Sequence, residues 1–189
     1  MRPIGFSTGA IALSDFRLGM SVLRQKGVAI VELSALRQFE LAPLTSALEE
    51  LDISDFTYVS VHAPSYLEPE MEKEVISLLE KAAERRLPII MHPDAITDFG
   101  LWTSFGSLLL VENMDKRKPI GRTASELASI FDKLPDALFC LDLGHARQVD
   151  PTMSEAALIL KLFGDRMRQL HVSEVNTRST HDPLTAGAI

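Results

Sequence analysis

The sequence predicts an α/β fold of parallel strands curling into a (β/α) barrel, and three observations predict it. Short runs rich in Val, Ile and Leu alternate with amphipathic helical stretches seven times along the chain. Those runs are apolar on both faces, as strands covered by helices on two sides must be. Neither a GxGxxG turn nor a phosphate-binding P-loop occurs, which weighs against an open nucleotide-binding sheet. A complete eight-stranded barrel usually takes about 250 residues. The 189 residues here accommodate seven strand–helix units. The expectation is one domain over residues 1–189, a TIM (β/α) barrel without strand eight.

Each element has a local reason. Ile4–Thr8 reads as the first strand, turned by Gly9, and Asp15–Lys26 as a helix with Ser14 as N-cap and Gly27 beyond its end. Val28–Leu33 is the second strand, with Glu32 and Ser34 at its end. Pro43–Leu51 is a short amphipathic helix opened by Pro43. Tyr58–His62 is the third strand. Glu68–Arg86 is the longest helix, with Val75, Leu78, Leu79 and Ala82 at helical spacing. Ile89–His92 is the fourth strand, closed by Pro93. Ala95–Phe105 leaves room for one short helix, and Leu108–Glu112 is the fifth strand. Thr123-x-x-Glu126 is a capping box for a helix to Leu134, and Thr152-x-x-Glu155 is another for a helix to Gly164. Between them Leu138–Asp142 is the sixth strand, with Gly144 turning the chain so that His145 leans back beside Asp142. Met167–Val172 is the seventh strand, and a polar, irregular tail follows Glu174.

Composition narrows the function classes. A formal net charge of -7 and a pI of about 5.2 oppose a broad surface for tracking phosphates, so nucleic acid is a disfavoured partner and a small molecule is expected. The single cysteine, Cys140, lies in an apolar strand and excludes an intramolecular disulfide; it reads as core. With no bilayer-length apolar run and no signal-peptide pattern, a cytoplasmic location is expected.

The ionisable residues gather at strand ends. His62, His92 and His171 end the third, fourth and seventh strands, His145 follows the sixth, and His181 lies in the loop after the seventh. Glu32, Glu112 and Asp142 end the second, fifth and sixth. Strand parity puts Ser60 with His62, Leu110 with Glu112, Cys140 with Asp142, and Gln169 with His171. Val59, Val61, Leu109, Val111, Phe139 and Leu141 are left to pack against helices. Inward side chains at the carboxyl ends of barrel strands converge on the mouth, where barrel enzymes carry their chemistry. Imidazoles and carboxylates gathered there suit zinc, manganese or iron better than magnesium or calcium. A single strand-end His or Glu is ordinarily a hydrogen-bonded structural residue; eight on one rim point to a divalent metal site.

The segments Val61-His62-Ala63-Pro64, Met91-His92-Pro93, Val111-Glu112-Asn113, Leu141-Asp142-Leu143-Gly144-His145 and Leu170-His171-Val172 together resemble the xylose isomerase-like barrel superfamily, which includes endonuclease IV and sugar isomerases and epimerases. The resemblance covers essentially the whole chain. It implies that Glu112, Asp142 and His171 match three of the four ligands of the isomerase metal. It also implies that His62, His92, His145 and His181 match the extra histidines of the trinuclear zinc enzymes. Two positions depart. A ligand Asp two residues before the last histidine is replaced by Ser179, and the strand-eight Glu has no counterpart.

Other residues carry weaker signals. Lys116 and Arg117, in a basic loop with Lys118 and Arg122, offer a phosphate or carboxylate contact; a solvated loop is the alternative. Trp102, with Phe99 and Phe105, forms either an apolar pocket wall or a local cluster. The expected function is a metal-dependent isomerase or epimerase of a small sugar or polyol, with Glu112, Asp142 and His145 catalytic and Glu32, Lys116, Arg117 and Trp102 at the substrate. An endonuclease IV-like phosphodiesterase and a non-catalytic or truncated barrel are the alternatives. The missing strand leaves unpaired edges that invite a homo-oligomer.

Overall fold

The computed structural model describes residues 3–176, 178 and 180–185, and of His181 the backbone only. The chain divides into two compact units, one ending at Met91 and one beginning at His92.

In the first unit four strands run parallel in chain order: β1 (Phe6–Ser7), β2 (Ile30–Ser34), β3 (Tyr58–His62) and β4 (Ile89–Met91). Register pairs Glu32 with Ser60 and Ser34 with His62. Val31, Leu33, Val59, Val61 and Ile89 to Met91 are all buried, as strands between two covering layers require.

The first strand is shorter than expected, because Thr8 opens a one-turn helix, α1 (Thr8–Ala12). Thr8 is fully buried and its hydroxyl accepts the Ser34 N–H at 2.9 Å. Helix α2 (Phe16–Gln25) is capped by Asp15, whose carboxylate accepts the Leu18 N–H at 2.9 Å, so Asp15 takes the role expected of Ser14. Helix α3 (Gln38–Ala47) begins five residues before Pro43. Glu40 receives the Arg37 backbone N–H at 3.0 Å and the guanidinium at 2.9 Å, and this outweighs the proline as a start signal. Helix α4 (Glu72–Glu84) follows a 3-10 turn at Pro69–Met71 and buries Val75, Ile76, Leu79 and Ala82.

The second unit has three parallel strands in chain order: β5 (Leu109–Glu112), β6 (Leu138–Asp142) and β7 (Met167–His171). Register places Glu112 beside Cys140, Cys140 beside Gln169, and Asp142 beside His171. An irregularity between Phe139 and Cys140 shifts the β6–β7 ladder.

The short helix expected within Ala95–Phe105 is α5 (Phe99–Trp102), capped by Asp98. Thr123 caps α6 (Ala124–Lys133) through the Glu126 N–H at 3.3 Å, while the Glu126 carboxylate turns to the Arg122 N–H at 2.7 Å. A helix not anticipated, α7 (Leu143–Val149), starts directly at Asp142. Helix α8 (Ser154–Phe163) does not use its expected box. Asp150 accepts the Glu155 N–H at 2.9 Å, and Glu155 itself reaches the Ala124 N–H at 2.6 Å. Beyond β7 the tail pairs β8 (Glu174–Val175) antiparallel with β9 (His181–Asp182), where an irregular stretch was expected.

Candidate metal centre

The second unit carries its polar core at the carboxyl ends of β5, β6 and β7. Glu112, the last residue of β5, is 1% exposed and is met by three imidazoles. His92 Nε2 lies 3.3 Å from Glu112 Oε2, His145 Nδ1 3.4 Å from Oε1, and His171 Nδ1 3.3 Å from the same Oε1. Asp142 Oδ2 stands 4.0 Å from Nδ1 of both His145 and His171. The rings of His92 and His145 meet edge to face with centroids 6.2 Å apart.

Local structure explains the convergence. His92 follows β4 directly and precedes a 3-10 turn opened by Pro93, whose ring fixes the chain's exit. Asp142 caps α7, with Oδ1 accepting the His145 N–H at 2.8 Å, so one carboxylate both ends β6 and sets the first turn that carries His145. His145 Nδ1 also lies 2.9 Å from the Asn113 carbonyl oxygen. A carbonyl only accepts, so Nδ1 donates there. Gln169 Nε2 lies 2.9 Å from His171 Nε2, which turns Nδ1 of that ring toward Glu112.

Two supporting residues, Asn113 and Ser173, were given no role from the sequence. Asn113 is fully buried, and its carboxamide donates to the Asp142 carbonyl oxygen at 2.9 Å and accepts the Asp142 N–H at 2.7 Å. Ser173 donates its hydroxyl to the Asp142 carboxylate, 2.9 Å from Oδ1 and 3.1 Å from Oδ2. Gly144 makes room for that contact: an added Cβ would stand 2.2 Å from Ser173 Oγ and 2.7 Å from the Ser173 carbonyl oxygen. Its role is therefore close approach within a helix, and not the chain reversal expected from the sequence. The Asn immediately after a strand-end Glu was the one available signal for Asn113.

The donor set fits a divalent cation. Glu112, Asp142 and His145 each offer an atom within 4.8 Å of the others, as do Glu112, Cys140 and His171. All but His171 are buried, and oxygen with imidazole nitrogen is the donor chemistry of zinc, manganese and iron. Burying such groups without partners or a cation would cost several kcal/mol.

The remaining expected residues lie as follows. Glu32 and His62, 8% and 5% exposed, belong to β2 and β3 of the first unit. His62 Nδ1 lies 2.8 Å from the Ala63 carbonyl oxygen and donates to it. Lys116 and Arg117 are exposed, and Arg117 Nε lies 3.5 Å from Asp115. Trp102 is fully buried against Phe105 and borders Leu109 and Ala137, at the amino-terminal starts of β5 and β6. That is the opposite end of the strands from Glu112 and Asp142. The His181 side chain and Ser179 lie outside the described residues.

No protein-family model and no curated protein matches the sequence. Solved structures do. Endonuclease IV from Thermus thermophilus superposes with a TM-score of 0.59 at 18% identity, covering 95% of this chain and 80% of that one. The fold is that of these structures, a TIM-type (β/α) barrel arrangement of parallel strands. The probable 3-DHS dehydratase AsbF from Bacillus anthracis matches this barrel with a TM-score of 0.55 at 12% identity, over 92% of this chain and 74% of that one. A xylose isomerase domain protein from Planctomyces limnophilus matches at 0.52 and 8% identity, over 82% and 66%. Seven parallel strands are present among the described residues, four in the first unit and three in the second. None of the described helices is long and apolar enough to cross a membrane.

Proposed function

We propose that the chain is one barrel domain and a divalent-metal-dependent enzyme, with zinc or manganese as the metal, acting as an isomerase or epimerase on a small sugar or polyol. One observation carries the reading: a single buried carboxylate, Glu112, has three imidazole nitrogens within 3.3–3.4 Å. Structural hydrogen bonding seldom places so many imidazoles on one acid, whereas a cation binds such a set directly. Glu112, Asp142 and His171 are the primary ligands in this reading, and His92 and His145 extend the set. A bound metal would polarise adjacent hydroxyl and carbonyl oxygens of the substrate. His145 and the two carboxylates hold and move protons at the substrate carbons, with Lys116 and Arg117 orienting the substrate. The net charge of -7 suits an uncharged sugar better than a nucleic acid, and the lone buried cysteine suits the cytoplasm.

A second reading, metal-dependent hydrolysis of a phosphodiester, is favoured by the approach of His92 and His145 to the same carboxylate as His171. Those extra imidazoles supply ligands for more than one cation. The two readings separate on metal analysis followed by assays of aldose–ketose interconversion and phosphodiester hydrolysis. One metal with isomerisation supports the first, and two or three with hydrolysis the second. No metal at any loading overturns both and leaves a binding role.

Self-association belongs to the same proposal. Leu170 in β7 and Val172 just beyond it are 42% and 44% exposed, and Leu158 and Leu162 of α8 are 44% and 56% exposed. Light scattering across a concentration series tests it, and a monomer throughout excludes it.

A further inference from the structure

We propose that Cys140 is itself a metal ligand, and that Glu112, Cys140 and His171 form a thiolate-containing site selective for zinc over manganese. The inference rests on the metal reading above and deepens it by naming the class of cation.

Cys140 is the only cysteine in the chain and is fully buried. Strand parity puts its side chain on the same face of β6 as Asp142, two residues on. The registers then decide its neighbours. Glu112 of β5 is its partner on one side and Gln169 of β7 on the other, with His171 two residues further along the same face. Its sulfur, a carboxylate oxygen of Glu112 and a ring nitrogen of His171 all lie within 4.8 Å of one another. Tetrahedral zinc holds sulfur at about 2.3 Å and nitrogen or oxygen at about 2.0–2.2 Å. Its ligand atoms are therefore roughly 3–4 Å apart, a spacing these three atoms approach. A cysteine that served only packing would have apolar neighbours; this one has an acid beside it on β5 and an amide, with an imidazole two residues on, along β7.

Ligation breaks the S–H bond and forms a sulfur–metal bond. The proton passes to solvent and no electron is transferred. Carboxylate and imidazole alone leave zinc and manganese both suitable, whereas a soft thiolate disfavours manganese. Glu112 also belongs to the set with Asp142 and His145, so the two triads share one carboxylate.

Cobalt(II) titration of the full chain, stripped with a chelator, is the test. Wild type is expected to develop a sulfur-to-cobalt charge-transfer band in the near ultraviolet alongside the visible d–d bands. Cys140→Ser is expected to lose the first, keep the second and bind zinc at least about tenfold more weakly, with manganese affinity little changed. Visible bands without the ultraviolet band in wild type overturn the thiolate ligand and leave the metal reading standing. The absence of any cobalt spectrum sinks both. The wild-type spectrum decides even if the variant fails to fold, and Cys140→Ala gives a second check on the volume change.

Discussion

Asn113 and Asp142 exchange two hydrogen bonds, the Asn113 carboxamide donating to the Asp142 carbonyl oxygen and accepting the Asp142 N–H. An asparagine side chain thus does between the ends of β5 and β6 what a backbone ladder does elsewhere. It holds the residue that caps α7 and faces His145. Asn113→Ala leaves a buried N–H and a buried C=O without these partners, at about 1–3 kcal/mol each. Denaturant unfolding should show the midpoint falling with little change in slope. An unchanged midpoint would mean that water replaces the carboxamide at no cost.

Gly144 and Ser173 give a second prediction. A methyl group at position 144 would occupy the place of the Ser173 hydroxyl, so Gly144→Ala must push Ser173 away from Asp142. Ser173→Ala removes the same hydrogen bond without a clash. Both variants should weaken metal binding by about 10- to 100-fold, as loss of a ligand's supporting hydrogen bond does elsewhere. Calorimetric titration with zinc measures it. Gly144→Ala should also lower the melting temperature more than Ser173→Ala, because only it displaces backbone.

Stability should carry an acid-side signature from Glu126. The hydrogen bond from Arg122 holds its carboxyl below the ordinary value near 4.5, against the opposing effect of burial. A depressed folded pKa means the folded chain favours the ionised form, so the contribution is fully present above pH 4.5. It fades as pH falls through the lower folded value. Glu126→Gln should therefore melt slightly below wild type at neutral pH, and the two should converge in acid. A gap that persists unchanged at about pH 3 would assign the loss to packing.

Much of this was readable in the chain. The alternation of Phe139 and Leu141 with Cys140 and Asp142 reports two packed faces directly, and β6 spans the residues that pattern marks. Helix α7 was not readable, because seven residues carry no apolar stripe and its start depends on the Asp142 carboxylate being consumed as a cap. Gly144 looked like a turn because close approach to Ser173, far along the chain, leaves no local trace. The neighbours of Cys140 depend on two inter-strand registers, which no single strand displays. The place of Trp102 was hidden for a related reason: aromatic spacing near a strand does not say which end of it the ring covers.

The central claim is that the carboxylate of Glu112 holds a divalent metal together with the imidazoles around it. Isothermal titration of zinc into the chelator-stripped chain, wild type against Glu112→Gln, tests it most directly, with circular dichroism to confirm that the variant folds. The substitution keeps the volume and removes the charge. Wild type is expected to bind zinc, and a folded Glu112→Gln is expected to show no saturable binding. Equal affinity in the two proteins would contradict the claim and leave Glu112 as a hydrogen-bonded acid among histidines.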